Sequence, residues 1–106
     1  MADSVGASHI LLMYAGSSRS TATRSKDDAL KEIQGYKQMM DDGIEFEALA
    51  RANSDCPSGK DGGALGVFGK GQMVPEFEQA AFSMNVGDVS DVVETSFGYH
   101  LIKRTS

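Results

Sequence analysis

Apolar residues in this chain keep two different rhythms. Residues 9–14 are a continuous apolar run opened by a histidine, the pattern of a strand covered on both faces. Further on, Ala29, Leu30, Ile33, Tyr36, Lys37 and Met40 recur at helical spacing, and Ser25 with Asp28 three residues later resembles a capping box at the start. Gly43 supplies a left-handed stop. Phe46, Leu49, Ala50 and Asn53 predict a second, shorter helix. Residues 57–71 hold six of the 12 glycines, which marks loops and tight turns around a short strand at 65–68. Residues 74–83 return to helical spacing, with Pro75 tolerated in the first turn and Phe77, Ala80, Ala81 and Phe82 on one face. After a turn at 85–88, residues 89–94 and 99–104 read as strands around a tight connection at 96–98, a terminal hairpin. The order is strand, helices, strand, helix, strand, strand. That predicts an α+β fold with a small, mostly antiparallel sheet, because the last connection is too short for a parallel crossover.

The stretch between the first strand and the first helix, residues 15–25, is rich in Ser, Thr and Ala with two arginines and reads as a solvated loop. At 106 residues and 41% hydrophobic content, the chain has material for one domain with a modest core. We place a tail at residues 1–7 and the domain at 8–106. Ten basic against 15 acidic residues give a net charge of −5, the wrong sign for a surface that neutralises phosphates, so nucleic acid is not expected as a partner. A single cysteine, Cys56, forms no internal disulfide, and no apolar run approaches the ~20 residues of a membrane span. A monomer in the cytoplasm, without membrane attachment, is the expectation.

The candidate chemistry is sparse. His9 and His100 are the only histidines, one in the first predicted strand and one in the last, and their imidazoles meet if those strands are neighbours. A strand histidine is more often a core residue satisfied by what surrounds it. Cys56 lies in a polar loop opening, Ser54-Asp55-Cys56-Pro57-Ser58-Gly59, where a thiol is exposed to tuning by imidazoles. Three ligands at 9, 56 and 100 lack the paired spacing of a zinc site, so no metal and no cofactor is expected. A cysteine hydrolase would need an orienting partner for its histidine and an oxyanion hole. Leu65, Met73 and Phe77 are, by their spacing alone, ordinary core.

Four motifs in order carry a resemblance to the parvulin-type peptidyl-prolyl cis/trans isomerases, spanning residues 8–104. Ser8-His9-Ile10-Leu11 resembles the family's first strand. Phe46-Glu47-Ala48-Leu49-Ala50, then Ser54, Ser58 and Gly62-Gly63-Ala64-Leu65-Gly66, resemble its signature run, with Ala64 replacing an acidic residue common there. Gly71-Gln72-Met73-Val74-Pro75-Glu76-Phe77 and Phe97-Gly98-Tyr99-His100-Leu101-Ile102 resemble its proline-pocket helix and final strand. The resemblance implies a four-stranded antiparallel sheet surrounded by helices, in the order β-α3-β-α-β2, with the first and last strands adjacent at its centre. It implies rotation of X-Pro bonds in proteins without cofactor or covalent intermediate, in the service of protein folding. By the same carry-over His9, Cys56, Thr95 and His100 are catalytic, with Cys56 and Thr95 near the rotating bond, and Leu65, Met73, Phe77 and Phe97 bind the substrate proline. The runner-up is a catalytically silent module that binds proline segments.

Phosphate-directed members of that family resemble one another in a basic cluster after the first strand. This chain has Met13 in place of one lysine and Ser18 in place of one arginine, leaving Arg19, while Phe97 stands where phosphate-directed members carry serine. The resemblance is therefore to the general members, which need no phosphorylated residue before proline. Arg24 and Lys26 are the remaining cations near the groove.

Overall fold

The computed structural model describes residues 4–17 and 22–106, so Ser18 and Arg19 lie outside the described residues. A four-stranded sheet in the order β2-β1-β4-β3 is built from β1 (Ser4–Leu12), β2 (Ala64–Gly69), β3 (Val93–Thr95) and β4 (Gly98–Arg104), all paired antiparallel. Helices α1 (Lys26–Asp41) and α2 (Phe46–Asn53), then a 3₁₀ helix at Pro57–Asp61, separate β1 from β2; α3 (Pro75–Ser83) separates β2 from β3. This is the α+β architecture expected from the order of elements.

Local chemistry sets most of the boundaries. The Ser25 hydroxyl accepts the Asp28 N–H at 3.1 Å, and Asp27 and Asp28 place negative charge at the positive end of α1. At its other end Gly43 takes φ +103°; its N–H donates to Met40 and the Ile44 N–H to Met39, both at 3.0 Å, closing a Schellman motif. Pro75 opens α3, where its missing N–H costs nothing.

Period 2 in the central strands divides their side chains between two cores. Ile10, Leu12, Tyr99 and Leu101 face α1 and α2, meeting Ile33, Tyr36, Phe46 and Leu49. Val5, Ala7 and Ile102 face the other way, onto Phe68 and the α3 residues Phe77 and Ala81. Coverage on both faces is why the run at the start of the chain is continuously apolar. No helix among the described residues is long and apolar enough to cross a membrane.

Two boundaries differ from expectation. Strand β1 begins at Ser4, with Ser4 to Ala7 paired to Gly69 to Gly66, so residues 4–7 belong to the sheet rather than to a tail at 1–7. Small residues there (Ser4, Gly6, Ala7) hid the strand from a reading based on apolar periodicity. Strand β3 is only three residues long, because the preceding segment touches β4 at separate points: Val89 bridges Lys103, and the Ser90 N–H donates to Ile102 at 2.7 Å.

Candidate active site

On the β1/β4 pair His9 stands opposite Ile102 and His100 opposite Leu11, so the two histidines are diagonal neighbours on the face that looks towards α3. Their Nδ1 atoms are 3.1 Å apart and their rings are stacked at 23° with centroids 5.3 Å apart. The Phe77 ring meets both edge-on, at 5.6 Å from His9 and 5.5 Å from His100. Burial lowers the pKa of His9 to about 4, and burial together with the nearby His9 lowers that of His100 to about 3. Both rings are therefore neutral at physiological pH, and one donates to the other. His100 Nε2 lies 2.7 Å from the Thr95 hydroxyl, which in turn accepts the Phe97 N–H at 3.2 Å. The network ends at His9 Nε2, buried and without a hydrogen-bond partner among the described residues.

Above the pair opens a cavity of about 380 Å³. His9, Cys56, Gln72 and His100 are among its polar lining residues, and Leu65, Met73, Phe77 and Phe97 among its apolar ones. Seven of the eight residues singled out from the sequence thus share one cavity. Thr95 does not line it: only 5% exposed, it sits behind His100, and its reach into the site is through that imidazole. Leu11, Met13, Pro57, Gln72 and Val74 also line the cavity and were not marked as site residues. The signal for Leu11 was available, since it follows His9 by two positions on one strand face. Gln72 and Val74 flank Met73 in a turn whose shape no periodicity reports.

The Cys56 loop is fastened to β1. The Asp55 N–H donates to Leu11 at 2.7 Å, the Ser54 hydroxyl accepts the Leu11 N–H at 3.1 Å, and Asp55 Oδ2 accepts the Met13 N–H at 2.9 Å. Arg24 closes the arrangement, pairing with Asp55 Oδ2 at 2.5 Å and donating to the Met13 carbonyl at 2.9 Å. The partner of the Cys56 sulfur is the Ser58 hydroxyl at 3.1 Å, while the imidazoles are engaged with each other and with Thr95. A cysteine hydrolase would pair thiol with imidazole, which this arrangement does not do. Among the described residues, no group of three His, Cys, Asp or Glu is placed to hold a metal ion.

Residues 1–106 match the family model of the PPIC-type PPIASE domain. The chain is 41% identical to the peptidyl-prolyl cis-trans isomerase Pin1 of Digitalis lanata, over 97% of each chain. It is 47% identical to the peptidyl-prolyl cis-trans isomerase ESS1 of Saccharomyces cerevisiae, over 91% of this chain and 62% of that one. Among solved structures, the peptidyl-prolyl isomerase ESS1 from Candida albicans superposes with a TM-score of 0.92 at 34% identity, covering 98% of this chain and 63% of the other.

Proposed function

The chain belongs to the PPIC-type, parvulin family of peptidyl-prolyl cis/trans isomerases and acts on proline-containing peptides, and from that premise we propose that it is a general, non-covalent isomerase for X-Pro bonds, assisting protein folding, with no need of a phosphorylated residue before proline. The observation that carries the mechanism is the apolar cavity closed by two neutral imidazoles. Rotation about an X-Pro bond must break amide resonance, a barrier of about 18 to 20 kcal/mol, and needs no bond to form. The planar amide is more dipolar than the twisted one, so an apolar site desolvates the ground state more than the transition state. Leu65, Met73, Phe77 and Phe97 would grip the ring and supply that environment, each factor of ten in rate requiring about 1.4 kcal/mol.

The polar residues then have positioning and electrostatic tasks. His9 and His100, held by Thr95, would keep the cavity floor rigid, and no proton transfer is asked of them. Cys56 would present a polar sulfur, oriented by Ser58, towards the carbonyl and disfavour its planar form.

The substrate preference rests on how the basic residues beside the groove are used. Arg24 is bound to Asp55 and to the Met13 carbonyl, and Lys26 pairs with Glu94 at 2.8 Å. Recruiting either to a phosphate would break those contacts. Met13 puts a thioether in the cavity wall where a lysine would serve a dianion. The proposal also has the enzyme working as a monomer in the cytoplasm, a reducing setting that suits its single thiol.

The deciding measurement compares turnover of Ala-Pro, Leu-Pro, Glu-Pro and phosphoSer-Pro peptides by exchange spectroscopy at low and moderate salt. The neutral peptides are expected to turn over at least as fast as the phosphopeptide. A tenfold phosphopeptide preference that fades with salt would make the enzyme phosphate-directed instead.

A further inference from the structure

Three hollows adjoin around the Cys56 rim. The proline cavity shares Met13 with a hollow of about 310 Å³ beside Arg24, and shares Cys56 and Pro57 with another of about 380 Å³. They differ in charge. Beside Arg24 the guanidinium is already neutralised by Asp55. The hollow beyond Pro57 is lined by Arg51, from the last turn of α2, and Lys60, from the 3₁₀ helix. Both are exposed, and neither has an ion-pair or hydrogen-bond partner among the described residues. The carboxylate that feels Arg51, that of Glu47, is instead bonded to Lys103 at 3.1 Å. The acid that lines this hollow, Asp55, is engaged by Arg24.

We infer that Arg51 and Lys60 form a cationic subsite continuing the substrate groove, which selects proline segments carrying an Asp or Glu where the chain passes beyond Cys56 and Pro57. An extended peptide advances about 3.3 to 3.6 Å per residue, so residues within a few positions of a proline seated in the cavity reach the adjoining hollow. Two cations with no partner among the described residues leave their donors available to one carboxylate. The chain's net charge of −5 repels acidic peptides at long range, so the attraction is local and confined to the positions that reach this hollow. The inference rests on the isomerase reading, with proline bound in the cavity at Phe77.

The test uses an Ala-Pro parent peptide with Glu or Gln placed at each of the three positions on either side of the dipeptide, with wild type and an Arg51→Gln/Lys60→Gln variant. At one or two positions wild type should favour Glu over Gln in kcat/KM by about three- to tenfold, a preference that shrinks with salt. In the variant that ratio should fall to about one while turnover of the parent peptide stays within about twofold. Both cations also lie at helix C-termini, where they offset the dipole; a purely structural role would lower the melting temperature and leave the Glu/Gln ratio unchanged. A ratio of one at every position in wild type, or a ratio kept in the variant, overturns the inference. If wild type fails to accelerate the parent peptide, it is the isomerase reading that fails. The Glu/Gln difference in binding, taken from shift titrations in the same samples, then still decides the subsite.

Discussion

His9 and His100 come from opposite ends of the chain and meet Nδ1 to Nδ1 at 3.1 Å, because β1 and β4 are the two central strands of the sheet. A buried pair of imidazoles is tolerable only if both are neutral and complementary in tautomer. Their lowered pKa values are consequences of that burial, and they define what the pair can do.

Burial of the two imidazoles makes the fold sensitive to acid. Folded His9 and His100 titrate at about 4 and about 3, below the ordinary 6.5. As pH falls below about 6.5, the unfolded chain binds protons that the native state refuses until about 4 or below. The pair therefore reduces stability progressively through that window, by up to about 1.4 kcal/mol per pH unit per histidine, and has no such effect above pH 7. Thermal melts at pH 7 and pH 5 should differ, and His9→Asn/His100→Asn should narrow the gap. Because neither ring changes charge near neutrality, turnover should be level between pH 6 and 8. A rate profile that titrates near pH 6.5 would instead give one imidazole a protonation role.

Phe77 is 3% exposed and its ring touches both imidazoles as well as Phe68, with centroids 5.9 Å apart in the latter case. Phe77→Ala should cost about 3 to 5 kcal/mol of stability. It should also abolish useful turnover by emptying the floor of the proline cavity. Assays below the variant's unfolding midpoint separate the two effects, and wild-type turnover in folded variant would remove Phe77 from the site.

At Cys56, Asp should retain more activity than Ala, because the side chain is expected to act by polarity next to the carbonyl rather than by attack on it. Steady-state rates of Cys56→Asp and Cys56→Ala check this. Equal, near-complete loss in both, or a trapped acyl adduct on the wild-type sulfur, would point to a nucleophile.

Gly63 sets the position of His9 without touching its ring. The His9 N–H donates to the Gly63 carbonyl at 2.9 Å, Gly63 has φ +86°, and a Cβ there would fall 2.2 Å from the His9 carbonyl oxygen. Gly63→Ala should destabilise the domain by at least about 2 kcal/mol and displace β1 from the residues leading into β2. Its amide resonances for His9 and His100 should shift together. An alanine variant with wild-type stability and spectra would show that this approach relaxes freely.

Helices α1, α2 and α3 and the terminal hairpin were legible because capping, turn residues and apolar period are local properties, written within a few residues of where they act. The Ser25 cap and the Gly43 stop both lie where the sequence marks them. The motifs around His9, Cys56, Leu65, Met73, Phe77 and Phe97 were legible through family resemblance, and seven of the eight named residues share the cavity. Residues 4–7 were not, since a strand of Ser, Val, Gly and Ala gains its place from β2 and from burial, not from its own pattern. The role of Arg24 was equally hidden: as a loop cation it looked available, and only the approach of Asp55, 31 residues away, commits it to the scaffold. Thr95 turned out to stand behind His100, a matter of which way a strand's side chain points once β3 pairs with β4. Sequence records the preferences of each segment, but which charges are spent and which remain available depends on contacts between segments, and those exist only after the strands have paired.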